Sequence, residues 1–161
     1  MKLRDMAFFG IAAAVVAAVA LTVDIKTPAE YYALHPAEVA EDGAYITLRV
    51  DCSAVADKSR NLPDDGILLE GRYALAAGDT VFDVADRVLR FEGLSFDYSG
   101  VGTVYVNGIG GLCELDYGAQ SGWIYTVDGE SPDVSCVEYE PTSGDEIAFI
   151  YVDKYYGEAG S

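Results

Sequence analysis

Positive charge, histidine and tryptophan are scarce in these 161 residues: ten lysines and arginines face 27 aspartates and glutamates, His35 is the only histidine, and Trp123 the only tryptophan. A formal net charge of −17 excludes nucleic-acid binding, because a phosphate-binding surface needs clustered cations that displace counterions. The same field repels an anionic membrane surface. His35 lies beside Pro36 with no partner at a metal-ligand or catalytic spacing, and no serine sits in a G-x-S-x-G setting. No nucleophile, base and orienter can be assembled, so an enzyme, a metal centre and a resident cofactor are not expected. Acids cluster at Asp128, Glu130 and Asp133 and at Asp64 and Asp65, but neither group matches a calcium-binding EF-hand loop; they read as a solvated acidic surface. Hydrophobic residues make up 51% of the chain, which excludes a wholly disordered protein.

What is present begins with an apolar run. Lys2 and Arg4 precede eighteen uncharged residues, 6–23, and Asp24 closes them. This is the layout of a secretory signal or of a single membrane helix with its positive end in the cytoplasm. Ala18-Val19-Ala20 offers a small-x-small cleavage site, while the run is long enough to cross about 30 Å of hydrocarbon. Both fates stay open, and either places the remainder outside the cytoplasm, at the cell surface or secreted. Removing residues 1–24 takes away two cations and two anions, so the exterior part keeps the whole −17. Residues 25–43 are polar, acidic and broken by Pro28 and Pro36, with no sustained period, and read as a linker. A globular domain is expected over 44–154, followed by a short tail, 155–161.

Within the domain, Ile46, Leu48 and Val50 alternate with polar residues, as in a strand with one buried face. The turn sequence NLPDDG precedes a second extended segment over 67–76. Thr80 and Asp83 form a capping-box pair, and Val81, Val84, Ala85, Val88 and Leu89 recur at helical spacing, predicting an amphipathic helix over 80–92 that Gly93 stops. Short strands are expected at 95–98, 104–107, 112–117, 123–128 and 146–152. A helix between strands and an antiparallel remainder give an α+β fold with one helix packed on the sheet. If the first and last strands lie parallel at the centre, the fold is a β-grasp-like mixed sheet; periodicity alone leaves that order open. Glycines at 118, 122 and 129 suit tight turns, so residues 112–128 are expected to form a hairpin looping at 118–122, with Trp123 and Tyr125 on one face of its second strand.

The strings DGILLEG, GDTVFDVADRV, VNGIGGLCELDYGAQSGWIYTVDGESPDVS and SGDEIAFIYV follow in this order, and residues 116–132 match DYG-x-x-SGW-x-Y-x-V-[ND]-G-x-x-P. Residues 46–152 thereby resemble the transcobalamin-like C-terminal domain family, bacterial surface domains of unknown function related to the β-domain of transcobalamin and intrinsic factor. The resemblance implies a β-grasp-like fold, an exported or surface-attached protein and no enzymatic activity. It also brings cobalamin into view as a ligand, held in wider relatives between this domain and a helical barrel.

Two functions follow as expectations. In one, Tyr117, Gln120, Ser121, Trp123 and Tyr125 form an aromatic rim that captures a corrinoid or another flat molecule beside a transporter or second binding domain. In the other, the same face contacts a surface protein. Against both stands Trp123 as a core plug beneath the helix.

Three cysteines in an oxidising compartment suggest one disulfide and one leftover thiol. Family pairings place a Cys at the end of the first strand with a partner in the last, and another near the DYG segment with a partner after the proline. Cys52 and Cys136 match those positions, whereas Tyr117 and the last-strand Val or Asp do not. Both family pairings are thus incomplete here; Cys113, four residues before Tyr117 and on the same strand face, is expected to take over as the partner of Cys136, with Cys52–Cys136 next, and a thiol joining two chains, or three reduced and buried thiols, as alternatives.

Overall fold

The computed structural model describes residues 37–39 and 42–154. The signal or anchor segment 1–24, most of the linker including His35, and the tail 155–161 lie outside the described residues. Among the described residues no helix is long and apolar enough to cross a membrane.

The chain alternates where the sequence alternates. Strand β1, Tyr45–Asp51, buries Ile46, Leu48 and Val50 completely and turns the residues between them outward. A 3-10 helix at Ser53–Lys58 leads to β2, Ile67–Ala74, which runs back antiparallel to β1. Gly66 makes that return possible: its φ is +72°, and a Cβ there would come within 2.3 Å of the Ser53 Cα, so no other residue fits. Helix α1, Val81–Phe91, starts at the expected box, with the Thr80 hydroxyl accepting from Asp83 N–H and the Asp83 carboxylate accepting from Thr80 N–H. Its apolar face, from Val81 to Leu89, joins one core with the inward residues of the sheet.

Strands β3 (Phe96–Ser99), β4 (Tyr105–Ile109) and β5 (Leu112–Cys113) form an antiparallel sheet of their own. Strands β6 (Gly122–Val127) and β7 (Glu146–Val152) return to the first sheet, whose order is β2-β1-β7-β6. In it β1 and β7 run parallel at the centre, with Leu48 opposite Ile147 and Val50 opposite Phe149. The described residues thus form a mixed α+β domain, mostly sheet with one α-helix, in which the first and last strands lie parallel at the centre of the larger sheet. The near-continuous apolar run of β7 matches its burial, since Ala148 and Val152 are buried as well as Ile147, Phe149 and Tyr151 on the opposite face.

The structure departs from expectation in several places. Residues 112–128 are not a hairpin: β5 pairs with β4, and β6 pairs with β7, in different sheets. The strand expected over 112–117 ends at Cys113, because the Asp116 carboxylate accepts from Cys113 N–H at 2.8 Å and Leu115 adopts φ +66°, which winds the chain into successive turns. Gly122 is a buried strand residue without positive φ, unlike Gly118 and Gly129. One linker residue belongs to the domain: Ala37 is buried, and its carbonyl accepts from Ala74 N–H at 2.8 Å.

Candidate functional site

Strand β6 puts Trp123 and Tyr125 on the same face, two residues apart. Trp123 is only 6% exposed; its indole N–H donates to the Leu112 carbonyl at 2.9 Å, and its ring meets Tyr151 edge-on at 5.2 Å. Tyr125 is half-buried, tilted over Phe149 at 6.3 Å, and donates its hydroxyl to the Val134 carbonyl at 2.6 Å. Burial, followed by the neighbouring Cys136, Tyr139 and Glu138, raises the Tyr125 phenol to about 12.

These rings form one wall of a cleft of about 240 Å³. Val104 and Tyr105, at the entry to β4, line it as well, together with Phe149 and Cys136. The loop carrying Ser131, Ser135 and Cys136 closes one end. That loop is fixed from several directions. Carbonyls of Cys136 and Tyr139 accept the N–H groups of Phe82 and Val81 at the start of α1, where a helix has unsatisfied donors. Ser135 Oγ accepts from Val104 N–H at 3.2 Å, tying the loop to β4, and Glu138 accepts from Ser135 N–H at 3.2 Å.

The residues expected to make one rim divide between two places. Trp123 and Tyr125 line the cleft; Tyr117, Gln120 and Ser121 do not. Ser121 is buried, accepting from Tyr117 N–H and donating to the Gly118 carbonyl at 2.9 Å. The Tyr151 hydroxyl donates to the Cys113 carbonyl at 2.8 Å and lies 2.9 Å from Ser121 Oγ, so this serine is a post for the turn. Tyr117 packs edge-on to Tyr151 at 6.2 Å, and Gln120 is exposed. Trp123 therefore combines both readings: most of its surface is core and its remaining edge is cleft wall. Tyr105, Phe149 and Cys136 were absent from the sequence-based set; an alternating Val104-Tyr105-Val106 stretch was the one local signal for Tyr105.

The expected disulfide is not formed: Cys52, Cys113 and Cys136 are all free thiols. They occupy different environments. Cys52, buried at the end of β1, donates to the Gly66 carbonyl at 3.0 Å; Cys136 is buried under the cleft; Cys113 is exposed on β5. Burial raises the thiol pKa of Cys52 and Cys136. Cys113 is also raised, by partial burial and then by the carboxylates of Asp116, Asp97 and Glu114. Among the described residues no group of His, Cys, Asp or Glu is placed to hold a metal ion.

A buried ion pair that periodicity did not reveal holds the loop before α1. Arg87, 2% exposed, makes two bonds to Asp79, at 2.6 and 3.2 Å, and a third to the Ala74 carbonyl at 2.9 Å.

The segments that form the cleft carry charge of one sign. Between Arg90 and Lys154 the chain has no lysine, arginine or histidine and twelve acids. Arg49, Lys58, Arg87 and Arg90 pair with carboxylates, and Arg72 lies 3.7 Å over the Tyr45 ring.

No curated protein matches the chain. Among solved structures, haptocorrin in complex with Cbi matches with a TM-score of 0.53 at 13% identity, over 71% of this chain and 27% of haptocorrin. The chain thus spans about a quarter of that protein's length, and the likeness is one of fold, consistent with a transcobalamin-like domain. A crystal structure of a protein from Ruminococcus gnavus, provisionally described as metal binding, matches at 18% identity with a TM-score of 0.44, over 70% of this chain and 99% of that one. The family model for a domain of unknown function, DUF4430, matches residues 78–153, which run from the loop before α1 through the cleft to the end of β7.

Proposed function

We propose that this protein is an exported, membrane-tethered, non-catalytic binding module whose cleft holds one edge of a flat small molecule such as a corrinoid. The observation that carries this reading is the cleft between β4 and β6, with Tyr105, Trp123 and Tyr125 on its walls and a small number of fixed polar groups at its end. Aromatic walls supply contact area with few rotors to immobilise. The fold shared with haptocorrin, solved with Cbi, makes a corrinoid the first ligand to test. A volume of about 240 Å³ is below the roughly 300–1,000 Å³ of pockets that enclose a drug-sized ligand. Such a ligand would be covered on its other side by a transporter or second binding protein.

Trp123 is the sole tryptophan and lines the cleft, so its emission reports on this site alone. Titrating cobalamin into the full-length chain in detergent should quench it saturably, and Tyr105→Ala should weaken the effect several-fold. Linear, unsaturable quenching that is the same in both proteins would reject small-molecule capture.

A second reading has its own observation. Apolar side chains at and near the cleft stay open to solvent: Tyr105 on its wall is 45% exposed, Val134 on the loop between Ser131 and Ser135 is 46% exposed, and Val101, two residues before the lining Thr103, is fully exposed. These flank the cleft on both sides in sequence, and an apolar centre larger than its pocket suits contact with a protein.

A further inference from the structure

We infer that the cleft and its rim form a docking surface for a basic segment of a partner protein, seating an arginine or lysine side chain against Tyr105, Trp123 and Tyr125. The inference rests on the protein-contact reading and names the partner's chemistry. Size comes first. The cleft admits one side chain, and Tyr105 on its wall and Val134 on the loop between Ser131 and Ser135 keep nearly half their surface exposed for contact around that side chain, which suits a polypeptide occupant.

Charge selects which polypeptide. Asp133 lies on the loop between the lining residues Ser131 and Ser135, and Glu138 is bonded to Ser135 N–H. No lysine or arginine occurs from residue 91 to residue 153, a stretch that includes every residue lining the cleft, and neither Asp133 nor Glu138 is ion-paired among the described residues. An anionic or acidic partner is repelled there, and a basic one is steered in. The centre favours the same charge, since a guanidinium or ammonium is attracted to the face of Trp or Tyr and its aliphatic stem covers apolar wall. The chain already uses that contact internally, with Arg72 over Tyr45.

The test uses the full-length chain in zwitterionic detergent, Trp123 emission and amide shifts as readouts, and three synthetic peptides alike except that the charged positions are arginine, glutamine or glutamate. The arginine peptide should bind saturably, with shifts at Val104, Tyr105 and Ser135. Replacement by glutamine should weaken it about tenfold, and glutamate should abolish it. Binding should weaken with salt, and weaken several-fold in Asp133→Asn/Glu138→Gln, while Glu70→Gln on β2 leaves it unchanged. Tyr105→Ala should remove the cleft shifts. Equal affinity for the arginine and glutamine peptides overturns the basic-partner inference while leaving protein contact standing. Silence with all three overturns both, and a parallel cobalamin titration shows whether small-molecule capture survives. Arginine binding that persists unchanged in Tyr105→Ala and in the rim double variant assigns it to general acidity and likewise overturns the inference.

Discussion

Arg87 takes a charge into the core and is held there by the two Asp79 oxygens and the Ala74 carbonyl, while its buried Nε has no hydrogen-bond partner among the described residues. Pairing in that setting offsets desolvation; removing one partner leaves the other charge uncompensated. Asp79→Ala should therefore lower stability by about 3–5 kcal/mol in urea unfolding, and Asp79→Ala/Arg87→Met should recover most of it. If the double variant is no better than the single, the loss belongs to the loop that Asp79 also supports through Ala76 N–H. The thiols make a second residue-scale prediction. In the folded chain a small aromatic disulfide reagent should consume one equivalent, at the exposed Cys113, and three after denaturation. Because the thiolate is the nucleophile and nearby carboxylates oppose its formation, Asp97→Asn should speed the reaction of Cys113. Three protected thiols, or none free after denaturation, would contradict the environments found for Cys52, Cys113 and Cys136.

Among the elements, α1 depends on its first turn. Thr80→Ala removes the acceptor for Asp83 N–H and should cost about 1 kcal/mol, with Thr80→Ser restoring most of the loss; thermal unfolding of the three proteins measures it. This helix was legible because every signal for it is local: the cap, the i, i+3, i+4 pattern and the stop at Gly93 lie within fourteen residues. Strand β1 was legible for the same reason, by its period of two. The supposed hairpin at 112–128 failed because alternation reports which face is buried and says nothing of which strand lies alongside. There the deciding facts are pairings with other strands: Gly122 lies opposite Val152, thirty residues on, while Cys113 is already taken by Gly108, five residues back. The site shows the same division. Trp123 and Tyr125 share a face by spacing, whereas Tyr105, Cys136 and Phe149 reach them only through the topology, and Ser121 was misjudged because its partner Tyr151 is thirty residues away.

At the scale of the whole molecule, tyrosine ionisation and net charge act in the same direction. Three phenols in different parts of the core resist ionisation. Burial raises each, helped at Tyr73 by its hydrogen bond to Glu92, and at Tyr125 by neighbouring groups that carry the value to about 12; Tyr151 is raised although Ser121 and the turn above it pull the other way. A phenol whose folded pKa exceeds its unfolded value of 10.0 holds its proton longer in the native state. Its contribution is complete below pH 10 and is lost as pH rises towards 12. Each proton released there also adds negative charge to a chain already at −17, and lysine deprotonation removes part of the little positive charge that offsets it. Stability followed by circular dichroism should thus be flat to about pH 10 and fall steeply above it, with salt reducing the slope by screening the repulsion. Tyr125→Phe, which keeps the ring on Phe149 and removes the phenol, should shallow the fall and delete one late step from the ultraviolet tyrosinate titration. A titration in which all tyrosines ionise together near pH 10 while the fold persists would mean that these rings are open to water, and the aromatic wall of the cleft with them.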